Sequence, residues 1–166
     1  MSTVSKVSDD LLLLDGLEDF QEYTVALCTS ARRHLDILSH TLDPLVYEHP
    51  DAVTALSALA RSHRLARVRI LVQDTLPLIE RGHALVRLAQ RLPSKIEVRK
   101  QHGALENADM AFLLADSEQV LYKHDDPLYR GFVNFKAPAE VRALRETFVR
   151  AWEYAQPDPQ LQQLHL

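Results

Sequence analysis

Seven residues near the middle of the chain, Arg67 to Gln73, constrain the fold more than any other stretch. Val68, Ile70 and Val72 alternate as one face of a strand requires, and Leu71 places an apolar side chain on the other face. Apolar residues on both faces predict a central strand covered from both sides. Helical stripes flank it. Val53, Leu56, Leu59 and Ala60 follow Pro50 on one side; Leu85, Leu88, Ala89 and Leu92, stopped by Pro93, lie on the other. Leu35 to Ser39 predicts an earlier strand, broken at Asp43-Pro44, and Ile96 and Val98 mark a later one. The order β-α-β-α-β implies crossovers, and crossovers imply parallel pairing.

Beyond residue 100 the pattern changes. Met110 to Ala115 and Val120 to Lys123 predict a hairpin around Asp116-Ser117-Glu118-Gln119. Tyr129 to Phe135 predicts a further strand, reached through the turn Asp125-Asp126-Pro127. Pro138 suits a first helical turn, and Val141, Leu144, Phe148, Trp152 and Ala155 trace a long amphipathic helix ended by Pro157 and Pro159. At the other terminus, Asp15-Gly16-Leu17-Glu18 has the form of a capping box before Leu17, Phe20, Tyr23, Thr24, Leu27 and Cys28. The expected fold is α/β: a mixed, mostly parallel sheet with helices on both faces. The expected organisation is a flexible lead over residues 1–14, one domain over 15–156, and a tail over 157–166 carrying Leu161, Leu164 and Leu166. A length of 166 residues suits one domain.

Composition narrows the function by exclusion. Cys28 is the only cysteine, so no intramolecular disulfide forms and a reducing, cytoplasmic setting fits. No apolar run reaches the length of a spanning helix. Leu11 to Leu14 is too short for a signal-peptide core and is flanked by acids. Four glycines and no G-x-x-x-x-G-K-[ST], G-x-G-x-x-G or G-x-S-x-G leave no phosphate-wrapping loop or nucleophile elbow. The histidines show no H-x-H or H-x-x-x-H spacing, so no metal and no cofactor is expected.

Charge is uneven. Residues 61–100 carry ten basic and three acidic side chains, between two acidic flanks. Arg69, Arg87, Arg91, Arg99 and Lys100 are therefore candidates for anion binding, with a nucleic acid as one such partner. The same stretch lacks Phe, Trp and Tyr, so bases have nothing to stack on and binding is expected to be weak and salt-dependent. Ligands in open α/β sheets bind at strand carboxyl ends. His40 and Asp74 end the first two strands, as an acid–base pair would, although strand-end polar residues commonly cap loops instead.

The succession of elements resembles one half of the phospholipase D fold. Ala66 to Val72 is similar to the central strand of that family. The family's catalytic strand carries H-x-K-x-x-x-x-D, in which histidine is the nucleophile, lysine neutralises phosphate and aspartate orients the histidine. The matching window is Asp109-Met110-Ala111-Phe112-Leu113-Leu114-Ala115-Asp116. Only Asp116 matches. Asp109 stands at the histidine position and Ala111 at the lysine position. Gly131-Phe132-Val133-Asn134 keeps the glycine and asparagine of a following Gly-Ser-x-x-Asn element, without its serine or spacing. The resemblance is to a degenerate branch found in proteobacterial proteins, whose domains can follow an N-acetyltransferase domain. It implies a non-catalytic binding or assembly module. The alternative is an enzyme with a rebuilt site using His40, Asp74 or Asp116. A lone half implies a homodimer, with Phe148, Trp152 and the tail leucines either anchoring the interface or covering the chain's own core and sheet.

Overall fold

The computed structural model describes residues 5–103, 109–125 and 127–162. Eight strands form one sheet: β1 (Ser5–Lys6), β2 (Leu11–Asp15), β3 (His34–Ser39), β4 (Arg67–Val72), β5 (Ile96–Lys100), β6 (Ala111–Ala115), β7 (Gln119–Lys123) and β8 (Arg130–Asn134). Their spatial order is β1-β2-β8-β7-β6-β3-β4-β5. The helices are α1 (Leu17–Ser30), α2 (Pro44–Tyr47), α3 (Pro50–Ser62), α4 (Leu76–Arg81), α5 (Ala84–Arg91), α6 (Pro138–Tyr154) and α7 (Pro159–Gln162).

The sheet is mixed and flanked by helices on both faces, but its parallel part is smaller than expected. Among the described residues, only β3 with β4 and β4 with β5 pair in parallel; the other five pairings are antiparallel. Connection length accounts for part of this: crossover helices join β3, β4 and β5, whereas β1–β2, β6–β7 and β7–β8 are too close in sequence for a crossover and fold back as hairpins. The remaining two antiparallel pairings, β3 with β6 and β2 with β8, join strands distant in sequence. The N-terminal segment also differs from expectation. Residues 11–15 are not a loose lead: they pair along all of β8, and Leu14 is buried. Asp15 therefore ends a strand rather than capping a helix. Gly16 takes the cap position, and the Asp19 carboxylate reaches back to accept the Asp15 N–H at 3.0 Å. In the tail, Leu161 is buried and its carbonyl accepts from Gln90 Nε2 at 2.9 Å, so α7 seals the side of α5. Leu164, Leu166 and Asp126 lie outside the described residues.

Strand alternation separates two cores. Val68, Ile70 and Val72 face one side with Phe20, Leu27, Ile37 and Leu85, beneath α1, α3 and α5. Leu38, Leu71, Phe112 and Leu114 face the other, beneath Phe148 and Trp152 of α6. Phe148 and Trp152, for which the sequence left interface and core open, are thus core residues. Lys100 and Gln156 exchange backbone hydrogen bonds at 3.0 and 3.2 Å, which covers the end of the β5 edge.

Candidate functional site

The carboxyl end of β3 meets the start of β6, so the 109 and 111 positions lie there. Asp109 is exposed just ahead of β6 and Ala111 is its buried first residue. Ala111 pairs with Lys123 of β7 in the antiparallel register, which aims both side chains at the α1 face. Lys123 is buried. Its ammonium sits 4.5 Å from the Tyr129 ring centroid and 5.8 Å from that of Phe20, a cation held by two aromatic rings. The Tyr129 hydroxyl donates to the Asp43 carboxylate, whose other oxygen accepts the Leu45 N–H and caps α2. Thr24, Ser39, Asp43, Tyr47 and Lys123 bound a cavity of about 20 Å³. Ser39 Oγ accepts the Leu42 N–H at 2.9 Å, and the buried Thr24 Oγ1 has no hydrogen-bond partner. Such a space holds roughly one water molecule. A positive charge therefore does stand beside position 111, but it enters from the neighbouring strand and is enclosed.

The three candidate catalytic residues do not converge. His40 and Asp74 are neighbours at the carboxyl ends of β3 and β4, where the Asp74 N–H donates to the His40 carbonyl at 2.8 Å. His40 Nδ1 lies 3.1 Å from Gln73 Oε1, and Asp74 accepts the Leu76 N–H at the head of α4. Asp116 lies at the opposite end of β3, because β6 runs antiparallel and sets Ala115 against Leu35. Five residue steps of strand separate the two ends, roughly 17 Å. Asp116 accepts the backbone N–H groups of Arg32, Arg33 and His34 at 2.9–3.0 Å. Burial raises its pKa, but these three bonds outweigh burial and hold it below the ordinary range. It is a clamp between the β6–β7 turn and the approach to β3.

The five basic candidates divide between the two faces. Arg69 and Arg99 point under α6; Arg87 and Arg91 are exposed on α5, on the other side; Lys100 is exposed at the β5 end. Arg69 is committed to Asp36, with Nε–Oδ1 at 2.7 Å and Nη2–Oδ2 at 2.9 Å, and Arg145 Nε of α6 adds a third bond to Oδ2 at 2.9 Å. Above them the Arg69 guanidinium stacks on Phe148, and Arg99 stacks on Trp152 at 4.3 Å while donating to the Trp152 carbonyl. Neither Asp36 nor Lys123 stood out as a site residue from the sequence. Signals existed: Leu35-Asp36-Ile37-Leu38 and Val68-Arg69-Ile70-Leu71 share one pattern with opposite charges at the second place. Their in-register pairing brings those charges together.

Several histidines have structural work. His49, His63 and His83 each accept, through Nδ1, the N–H two residues ahead, at 3.2, 3.0 and 3.1 Å. Buried His83 also contacts the Leu42 carbonyl through Nε2 at 3.0 Å; burial holds its pKa below the ordinary value. Among the described residues, no three His, Cys, Asp or Glu side chains gather as a metal site. No helix among them is long and apolar enough to cross a membrane.

A mixed sheet with crossover helices on one face and a long helix on the other defines a phospholipase D-like α/β fold. Solved structures agree. Nuc from Salmonella typhimurium, a phospholipase D family member, matches with TM-score 0.58 and 15% identity, over 82% of this chain and 89% of that one. NucT from Helicobacter pylori matches with TM-score 0.64 and 12% identity, over 89% and 97%. TrmBL2, an archaeal chromatin protein with a novel mode of DNA binding, matches with TM-score 0.66 and 18% identity; the match covers 93% of this chain and 56% of TrmBL2. At these identities the likeness is one of fold. The chain belongs to the family described as Domain of unknown function (DUF7931), which matches residues 16–164. No curated protein matches the sequence.

Proposed function

We propose that this chain is a non-catalytic phospholipase D-like module that binds an anionic partner. The observation that carries the reading is the strand-end site itself. A carboxylate at 109 repels a phosphodiester at the place where the fold's relatives carry an imidazole. Position 111 has no charge. The enclosed space beside Lys123 is about 20 Å³, too small for a phosphate group. His40 and Asp74 offer no third group in place of Asp116, which is at the far end of the sheet. The fold itself carries no activity with it. Self-association as a two-fold dimer belongs to the same reading and rests on the prevalence of such dimers, since Phe148 and Trp152 are used internally.

The test is hydrolysis of bis(p-nitrophenyl) phosphate and of plasmid DNA by the full chain in EDTA. No release above buffer is expected. Metal-independent hydrolysis that is lost in both Asp109→Asn and Lys123→Met, with melting temperatures unchanged, would refute the reading. Sedimentation equilibrium at tens of micromolar tests the dimer; a monomer there removes it.

A further inference from the structure

We propose that the edge where α1, α3 and α5 lead into β3, β4 and β5, continued along one flank of α6, holds the phosphate backbone of a nucleic acid. The proposal rests on the anionic-partner reading and assigns it a surface. Parallel pairing produces that surface. Each of these strands is reached from a helix C-terminus, so all three approaches fall on one edge of the sheet.

Arg32 and Arg33 precede β3, Arg64 and Arg67 precede β4, and Arg91 and Lys95 precede β5. The five arginines are exposed. Backbone bonds hold the approaches side by side: the Arg67 N–H donates to the Arg33 carbonyl, and the Val68 N–H to the Lys95 carbonyl, both at 2.8 Å. The Lys95 ammonium bridges to the His63 and Arg64 carbonyls. Asp116, beside this edge, is taken up by three backbone N–H groups.

The edge runs on to α6. Partial burial, then the charge of Arg67 and, more weakly, that of Arg145, lower the His34 pKa, while Asp36 and Asp116 oppose them. Asp116, which accepts the Arg32, Arg33 and His34 N–H groups, leads directly into Ser117 and Glu118 beside α6. From there a groove of about 680 Å³ opens along α6 beside the β6–β7 turn, lined by Arg142, Arg145 and Arg150 with Glu118 and Glu146. Arg145 Nη2 is a buried donor without an acceptor.

Helix dipoles account for some of this. A basic residue near a helix C-terminus is favourable by itself. Dipoles do not account for Arg67, which starts a strand, or for Arg142 and Arg145, which lie within a helix. The preponderance of arginine suits bidentate phosphate contacts. None of these edge residues is aromatic, so bases are not stacked and sequence preference is not expected. Among the described residues Leu65 is the large exposed apolar side chain of the edge, and the valines of the groove, Val141 and Val149, are buried or half-buried, so little projects for insertion into a bilayer, which favours a nucleic acid over an anionic membrane. The surface lies at the opposite end of β3 from positions 109 and 111.

Fluorescence anisotropy of a 20-base-pair DNA duplex, titrated with the full chain across KCl concentrations, tests the assignment. The expected slope of log K against log salt is about −4, for four to five neutralised phosphates. Arg32→Glu/Arg33→Glu and, separately, Arg142→Glu/Arg150→Glu should each weaken binding at least tenfold at low salt and flatten the slope by about 2, with melting temperatures retained. Arg87→Glu/Lys100→Glu, away from the edge, should leave binding within twofold. If the parent binds and only the Arg87/Lys100 pair matters, the edge assignment fails while the anionic-partner reading stands. If the parent binds no duplex even at low salt, nucleic acid fails as the partner. Binding to phosphatidylcholine–phosphatidylserine vesicles that is tighter than binding to DNA, and lost in the edge variants, assigns the edge to a membrane and overturns the proposal.

Discussion

Asp36→Asn should destabilise the fold by about 3 kcal/mol, because the carboxylate is the shared counter-ion of two guanidiniums inside the α6 core. Its side chain is 2% exposed, against 13% for Arg69 and 25% for Arg145. Three charge-assisted hydrogen bonds end on it. The amide preserves shape but removes the charge and one acceptor, and its NH₂ then confronts an arginine. Breaking one side of a buried pair costs about 3–5 kcal/mol. Arg145 keeps partial hydration, which places the expected loss at the lower end. For a domain of this length, about 3 °C of melting temperature accompanies each kcal/mol, giving a drop of about 9 °C. Thermal melts followed by circular dichroism, with urea midpoints as a second measure, read the effect. Asp36→Leu combined with Arg69→Met and Arg145→Leu should recover most of it, since an apolar replacement removes the desolvation cost along with the pair. A melting temperature for Asp36→Asn within about 2 °C of the parent would refute the argument, because it would mean that the cluster is hydrated rather than desolvated.

Other outcomes follow from single residues. His83 is held neutral in the fold with a lowered pKa, so the unfolded chain takes up the proton first. Stability should therefore be full above the ordinary histidine value of about 6.5 and fall as pH drops through it, and His83→Gln should flatten that part of a urea-midpoint profile. A methyl group on Gly131 would stand 1.8 Å from the Tyr122 carbonyl oxygen, a backbone atom that cannot swing aside. Gly131→Ala should force β8 off β7 and cost at least about 3 kcal/mol, read as lost soluble yield and a lowered urea midpoint. Burial raises the Cys28 thiol pKa to about 12, so dithionitrobenzoate should label it only as fast as the chain unfolds; rapid labelling of the native protein would contradict its place on the buried face of α1.

Much of the fold could be read from periodicity because burial imposes it. β4 was legible from Val68, Ile70, Leu71 and Val72, since a doubly covered strand cannot hide its composition. The hairpin of β6 and β7 and helix α6 were legible for the same reason. The N-terminal strand was not. Leu11 to Leu14 has no alternation, because β2 is a run of leucines whose two faces meet different environments: Leu14 is in the core, and Leu13 is half exposed on the α6 side. Nor can a sequence period tell which strand a terminal segment joins. β2 pairs with β8, over a hundred residues away, and that pairing makes the sheet largely antiparallel on one side.

The candidate site was harder to read because charge in a sequence carries no address. Ten basic residues between 61 and 100 look like one feature, yet alternation along β4 and β5 sends Arg69 and Arg99 under α6, where Asp36 and the Trp152 ring occupy them. The basic residues that do share a surface come from separate segments: Arg32 and Arg33 lie in the acidic N-terminal third, and Arg142 and Arg150 near the end of the chain. What joins them is topology. Three crossovers deliver three helix ends to one edge, and α6 begins beside the same edge because the Ala137 N–H donates to the Glu118 carbonyl at 2.7 Å. The two ends of β3 differ in the charge they present. At the carboxyl end, Lys123 is enclosed between two aromatic rings and Ala111; at the amino end, arginines from distant segments stand exposed around an aspartate already satisfied by the backbone. A phosphate approaching from solvent meets the exposed arginines at the second, whereas Lys123 at the first is buried.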